Sequence, residues 1–518
     1  MKTLRVITYW SLLAAGLAQA DVALSPLFSD HAVLQRDRPL PVWGTAEPGE
    51  KVAVSLGAQK GSGVADKDGR WTVILPAQPL SKAPLVLSVS GKNQLTRQDI
   101  LLGDVWLCSG QSNMDFPLGA CDVPQDIAAS ENPQIRHFRV GYNFASVKAT
   151  ALEGAWAVAG PATAGGFSAV GYYFGRKLQA QTGVPIGLLT SSVGGTNIEL
   201  WISQEALLGT PALEPYAKQM RDSLDIYQQQ LRAALPALRG WADAAAKVPA
   251  AQKLPLPPAW PEFPFSERVN RPRCVTLHNG MIAPLVPFSF RGAIWYQGES
   301  NADDVLYVEK KRAMVDEWRR LFQNPQMPFY FVQLAAWLAP DDNPAGGGWG
   351  MIRDLQRQCL TIPHTGMASA LDVGDAEDIH PKNKADVGER LALWALRNEY
   401  GIKDLTVSGP LLRDMAIEGS RIQLRFESLG GGLMVGKKDG RKPAVEDPGA
   451  TLKRFAIAGA DQKWAWADAV ISGDTVILSS PAVPSPVAAR YAYSGNPAGA
   501  NLYNRAGLPA SPFRTDKW

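Results

Sequence analysis

The apolar positions of the chain follow two rhythms. Residues 21–98 carry short β-branched runs, "KVAVSLG", "GRWTVILP" and "PLVLSVSG", bounded by Gly, Pro, Asp and Lys. Runs of that length and composition predict strands, and no helical period separates them. From residue 99 the pattern alternates. "DVWLCSG" reads as a strand, "FSAVGYYFGRKLQAQTG" as a helix stopped at Gly183, and "VPIGLLTSSVGG" and "RGAIWYQGES" as strands. Residues 303–322 place Met314, Val315, Trp318, Leu321 and Phe322 on one helical stripe. "MPFYFVQLAAW" and "GMASALDVG" are further strands, and residues 384–399 are helical, with Val387, Leu391, Trp394 and Ala395 on one side. Strands that are apolar throughout and alternate with helices predict an α/β class with a mostly parallel sheet flanked by helices.

Residues 205–274 interrupt this alternation. Tyr216, Met220, Leu224, Tyr227 and Leu231 predict one helix, and seven prolines follow between Pro249 and Pro272. The stretch reads as a helical and Pro-rich insertion between a first catalytic part, 99–204, and a second, 275–400. β patterning returns over 401–518 in "RIQLRFES", "DTVILSS" and "ARYAYSG". The expectation is an α/β unit with accessory β-sandwich-like regions at both ends.

Residues 1–20 are set apart from the fold. Lys2 and Arg5 precede the apolar "VITYWSLLAAGL", and Ala18-Gln19-Ala20 forms a small-residue cleavage pattern. This is the pattern of a signal peptide cut near Ala20, which predicts an exported protein, periplasmic or secreted. No later run is long and apolar enough to predict a membrane span. Removing Lys2 and Arg5 with the leader takes the formal charge from +3 to +1. A chain so close to neutral has no general attraction for nucleic acid or anionic membranes. The four cysteines lack metal-ligand spacing, and a Cys108–Cys121 disulfide stays open.

Ligands of a parallel sheet bind beyond the C-terminal ends of its strands. The predicted strands deliver Gly110-Gln111-Ser112-Asn113, Gly194-Gly195-Thr196-Asn197, Gln297-Gly298-Glu299-Ser300-Asn301, and finally Asp372, Asp375, Glu377, Asp378 and His380. These are the parts of acyl transfer. A serine needs a base, histidine suits that task near neutral pH, and an acid fixes its tautomer. Main-chain N–H groups near glycine, or a side-chain amide, can hold an oxyanion. Of the five histidines, only His380 sits in a cluster of acids just before a helix. The G-x-S-x-G elbow occurs nowhere, which argues against the common α/β-hydrolase arrangement.

"DVWLCSGQSNM", "GGTNIELW", "IWYQGESNA" and "DIHPKNKADVGERLA" together resemble the sialate O-acetylesterase group of SGNH-type (GDSL-like) carbohydrate esterases. "LFSDHAVLQRD" and "GLPASPFRTD" extend the resemblance over nearly the whole mature chain. It implies an SGNH-hydrolase-like sheet, an acetylated glycan as substrate, and no cofactor or metal. It implies Ser112 as nucleophile and His380 as base. The acid falls on Asp378, with Glu377 as the rival because the usual D-x-x-H spacing lands there. The main-chain N–H groups of Ser112 and Gly195 (or Gly194) and the Gln297 amide are the candidate oxyanion donors.

Other residues carry weaker expectations. Asn113, Trp201 and Arg353 are candidates for substrate binding, Arg353 through a substrate carboxylate, although it reads equally as a solvated helix residue. Trp201, Trp295 and Trp349 could stack on sugar rings, and the core is the preferred reading for each of them. Asp372, Asp375, Glu377 and Asp378 could hold Ca²⁺, although irregularly spaced acids are ordinary in loops. The motifs show no basic cluster for sialate, so acetylated polysaccharide or oligosaccharide side chains of the xyloglucan or xylan kind are the preferred substrate. O-acetylated sialic acid is the alternative, and a non-catalytic carbohydrate-binding protein is the alternative of another class.

Overall fold

The computed structural model describes residues 21–249, 252–262, 264 and 274–518; the residues read as a signal peptide and part of the Pro-rich stretch lie outside them. The centre is a mixed sheet with flanking helices, and further β-sheet regions lie at both ends of the chain. We number the central strands β1 (Gln94–Gly110), β2 (Asn132–Arg139), β3 (Trp156–Ala159), β4 (Ile186–Ser192), β5 (Gly292–Tyr296), β6 (Phe329–Gln333) and β7 (Thr365–Ser369). Their spatial order is β3-β2-β4-β1-β5-β6-β7. Every neighbouring pair is parallel except β3 with β2. Strands β2 and β3 had no counterpart in the sequence reading, because "NPQIRHFR" has a proline at its second position and "WAVA" is only four residues long.

Strand β1 is 17 residues long and joins two sheets. Its first half pairs antiparallel with Ser81–Ser90 of the N-terminal region. Its second half, buried on both faces, pairs parallel with β4 and β5. The N-terminal region and the central unit therefore share one apolar core, from Leu27 and Phe28 through Trp106 to Leu396. The C-terminal strands enclose a second core around Ile422, Leu424, Ile457 and Phe513. Gln333 at the end of β6 donates to Ser511 Oγ at 2.7 Å, which ties that region to the sheet.

The helices are α1 (Ser112–Asp115), α2 (Ala169–Thr182), α3 (Glu214–Ala245), α4 (Tyr307–Leu321), α5 (Trp349–Gln358) and α6 (Lys384–Asn398) among the longer and site-bearing ones. Successive residues of β6 show that they cover both faces. The Tyr330 ring stacks on Trp394 of α6, while the Phe331 ring lies under Lys311 of α4. Side chains alternate along a strand, so these two helices lie on opposite sides. Ser168 caps α2 by accepting from the Gly171 N–H, and Gly183 ends it in the left-handed region, as the glycine stop predicts.

Candidate functional site

Strand register brings the site together. Gly110 of β1 is level with Ser192 of β4 and Tyr296 of β5. The residues after these three strand ends therefore leave the sheet side by side. Gly110 has φ 136°, and a Cβ there would lie 2.1 Å from the Tyr296 carbonyl oxygen. Only glycine lets β1 and β5 approach so closely where the chain turns into α1. Ser112 is the first residue of that helix. Gly194, from the next strand end, is close enough that a Cβ on it would lie 3.3 Å from Ser112 Cβ. Gly195 follows at φ 71°. The main-chain N–H groups of Ser112 and Gly195 donate to no protein acceptor among the described residues.

His380 arrives from the loop after β7. Pro381 follows it, and Asn383 then caps α6 by accepting from the Asp386 N–H. His380 Nε2 lies 2.8 Å from Ser112 Oγ. The imidazole stacks on Phe116, with ring centroids 5.7 Å apart and planes at 19°. Burial depresses its pKa first, the Lys384 charge depresses it further, and Asp378 opposes both. The net direction is downward, so the ring is held neutral and able to accept a proton. Asp378 Oδ1 is 3.6 Å from His380 Nδ1 and accepts the His380 main-chain N–H at 2.8 Å. Glu377 is exposed; its main-chain N–H donates to Asp375 Oδ1. Asp378 is thus the acid beside the imidazole.

Asn113 turns inward. It is 2% exposed, and its Nδ2 donates to Glu299 Oε1 at 2.7 Å and to the Ile379 carbonyl at 3.1 Å. Its Oδ1 accepts from Lys384 Nζ at 2.5 Å. One side chain therefore links the serine turn, the β5 loop, the residue before His380, and α6. Burial pushes the Lys384 ammonium down to about 8, and its Nζ lies 4.8 Å from the Phe116 ring centre. Burial also raises the Glu299 carboxyl, and its Oε2 has no hydrogen-bond partner among the described residues. Neither Lys384 nor Phe116 was among the residues read as functional. Lys384 lies inside the quoted "DIHPKNKADVGERLA", but its spacing gives no sign that it points inward.

Several sequence candidates take other roles. Gln297 is fully buried; its Nε2 donates to the Thr196 carbonyl and Asn301 Oδ1, and its Oε1 accepts from Tyr307 Oη. An amide so engaged is not presented to an oxyanion, which corrects that assignment. Arg353 is also fully buried and donates to the carbonyls of Leu334, Ala335, Ser494 and Gly495. It fastens the C-terminal region to α5 and faces no substrate carboxylate. Trp201 is in the core, its Nε1 donating to Thr196 Oγ1 and its ring edge-on to Trp295, so neither is a sugar platform. Trp349 packs on Trp337 with centroids 4.8 Å apart. Cys108 and Cys121 are buried free thiols, as are Cys274 and Cys359. Asp372 is held by Arg390, and no group of three or more His, Cys, Asp or Glu among the described residues could hold a metal ion. No helix among them is long and apolar enough to cross a membrane.

A serine and a histidine within hydrogen-bond distance beyond the ends of an α/β sheet define a candidate hydrolase site. The chain belongs to the carbohydrate esterases described as sialic acid-specific acetylesterases, which match residues 102–248 and 265–397. Sialate O-acetylesterase of Rattus norvegicus is 30% identical over 532 residues, covering 91% of this chain and 90% of the relative. The Homo sapiens sialate O-acetylesterase is 28% identical over 409 residues, 71% of this chain and 69% of that one. A carbohydrate acetylesterase from Xanthomonas citri has a similar solved structure. It is 38% identical, covers 96% of this chain and 100% of its own, and has a TM-score of 0.78. An acetylesterase of the carbohydrate esterase class is therefore the group in which this chain stands.

Proposed function

We propose that the protein is an exported serine O-acetylesterase of SGNH type that removes acetyl groups from the hydroxyls of polysaccharide or oligosaccharide side chains. The observation that carries this is the 2.8 Å contact between His380 Nε2 and Ser112 Oγ. Neutral His380 takes the hydroxyl proton as Ser112 attacks the acetyl carbonyl. The resulting oxyanion is met by the Ser112 and Gly195 N–H groups, which have no other protein acceptor among the described residues. Asp378, beside Nδ1, stabilises the imidazolium and holds its tautomer; a 3.6 Å separation can tighten once substrate excludes water. The protonated ring gives its proton to the departing sugar oxygen. Water activated by the same ring then releases acetate and restores Ser112. These residues complete every proton transfer without a cofactor.

A neutral glycan of the xyloglucan or xylan kind is the preferred substrate. Arg353, the cation considered for a carboxylate, is spent on main-chain carbonyls. Arg139, near the serine turn, is paired with Asp115 at 2.6 Å. A second reading, hydrolysis of O-acetylated sialic acid, is favoured by the names of the rat and human relatives. The deciding experiment is acetate release by the mature protein from acetylated xyloglucan oligosaccharides, acetylated xylan, O-acetyl sialic acid and an aryl acetate, with Ser112→Ala as control. Ser112 Oγ bonds only to His380 among the described residues, so the variant should fold normally and lose at least about 10³-fold in kcat. Equal release by Ser112→Ala would refute the serine mechanism, and preference for O-acetyl sialic acid would overturn the neutral-glycan reading.

A further inference from the structure

The loop between β2 and β3 begins beside the serine turn and runs away from it. Asp115, three residues after Ser112, accepts from Arg139, from Ser192 Oγ at 2.9 Å and from Tyr142 Oη at 2.6 Å. Beyond that anchor the loop exposes Tyr142, Phe144 and Val147, at 60%, 37% and 74%. Large apolar side chains at such exposure, clustered on one loop, mark a contact surface. The loop itself is well tied. The Ala145 and Ala149 N–H groups donate to the Thr276 and Asn279 carbonyls. Gly280 lets it pass close by, since a Cβ there would lie 1.8 Å from the Asn143 carbonyl oxygen.

Two cavities lie along this loop. One, of about 330 Å³, is lined by Tyr142, Asn143 and Glu153. The other, of about 660 Å³, opens between the N-terminal β region and the central unit, against Trp43, Arg70, Thr150 and His278. Ala151 and Leu152 line both, so the two lie along the same stretch of the loop. Both lie in the size range of small-molecule sites, roughly 300–1,000 Å³. His278 lines the larger one. It is fully buried, and its Nε2 lies 3.5 Å from the buried carboxylate of Glu317. It opens a single π-helical turn, His278–Ile282, a distortion that is frequent at functional sites. Charges on the walls balance, with Asp68 and Arg70 on one side and Lys148 paired to Glu205 on the other. An aromatic side chain, hydroxyls and balanced charge suit a neutral sugar, whose C–H face stacks on a ring while its hydroxyls find polar partners.

We propose that the 140–155 loop and the cavity at Trp43 form a distal subsite for a neutral glycan chain whose acetylated sugar lies at Ser112. This rests on reading the protein as a glycan acetylesterase, and it deepens that reading: the substrate is a polymer or long oligosaccharide that runs from the serine turn over Tyr142 and Phe144 to Trp43. A monosaccharide ester would not reach the cavity.

The test uses the full mature chain. Thr150→Trp fills the cavity from an exposed loop position, and Trp43→Ala removes the ring. Because Trp43 packs edge-on against Phe28, Thr150→Trp is the decisive variant if Trp43→Ala fails to fold. Steady-state rates are measured on an acetylated xyloglucan oligosaccharide and on an aryl acetate. Calorimetry follows the same oligosaccharide binding to Ser112→Ala with and without Thr150→Trp. The expected result is at least about a tenfold loss of kcat/KM on the oligosaccharide, carried by KM, with aryl acetate hydrolysis unchanged and binding weakened to match. Unchanged oligosaccharide kinetics and unchanged binding in Thr150→Trp would overturn the subsite. Wild-type silence on every ester would count against the esterase reading alone, since calorimetry still reports whether the cavity binds the chain.

Discussion

Asn113 offers the sharpest test of how the site is held. Replacing it with alanine removes three hydrogen bonds at once: from Lys384 Nζ, to Glu299 Oε1 and to the Ile379 carbonyl. Two of these involve charged groups. Lys384 is 1% exposed, and Glu299 already has one oxygen without a partner. Hydrogen bonds to charged groups contribute about 1.5–3 kcal/mol each, and breaking a buried ionic network typically costs about 3–5 kcal/mol. We expect Asn113→Ala to lose an amount in that second range. With a urea slope of about 3 kcal/mol/M, the midpoint of the central unit should fall by about 1 M or more. Catalysis should suffer separately. The Ile379 tie fixes the residue before His380, and a displacement of about 1 Å at a reacting group can cost about 10²-fold. Aryl acetate kinetics should therefore show a kcat loss near that size with KM little changed. Asn113→Asp has the same volume and keeps an acceptor for Lys384, but it loses both donated bonds and sets a second carboxylate against Glu299. It should leave kcat low, separating the positioning effect from Lys384's need for a partner. Full kcat in a destabilised Asn113→Ala would refute the positioning role, and a midpoint within about 0.2 M of wild type would refute the whole account.

The remaining predictions concern the acid and the base. Asp378→Asn should lower kcat by at least about 10²-fold while Glu377→Gln stays near wild type, as measured on an aryl acetate; the reverse order would make Glu377 the orienting acid. The reaction needs neutral His380, so kcat/KM rises with pH through the His380 pKa of the free enzyme. Burial and then the Lys384 charge hold that pKa down, against Asp378. Lys384→Met removes one depressing cause, so the acid limb of the pH profile should move to higher pH; a limb that stays put or moves lower would show that Lys384 does not set it.

Most of the fold was legible because its signals are periodic. The helices at Ala169–Thr182, Tyr307–Leu321 and Lys384–Asn398 announce themselves by apolar stripes and terminal residues, and β4 to β7 by runs buried on both faces. The 32-residue helix Glu214–Ala245 carries the expected stripe but continues past Pro236, well beyond the residues that predict it. Helix Trp349–Gln358 was not delimited, and Arg353 was weighed there only as a carboxylate partner or a solvated helix residue. Its sequence, "WGMIRDLQRQ", offers few apolar positions, because Arg353 and Gln356 fill its buried face. A polar residue that bonds main-chain carbonyls from inside looks, in sequence, like a solvated one.

The same difficulty governs the site. Ser112 and His380 could be located because a parallel sheet presents whatever follows its strands at one edge, and that rule needs no knowledge of side-chain direction. Gln297, Asn113, Glu299 and Asn301 all follow the same strand ends, yet they point away from the nucleophile into a buried polar network. Their direction depends on partners far apart in sequence: Tyr307 for Gln297, Lys384 for Asn113 and Lys310 for Glu199, the carboxylate that accepts from Asn301. A strand end tells which residues arrive at the site. Only those partners, each supplied by another element, decide which residue faces the substrate and which holds the loop. The sequence reading therefore named the two groups that touch at 2.8 Å, while the amide it placed beside them is bonded to Thr196, Asn301 and Tyr307.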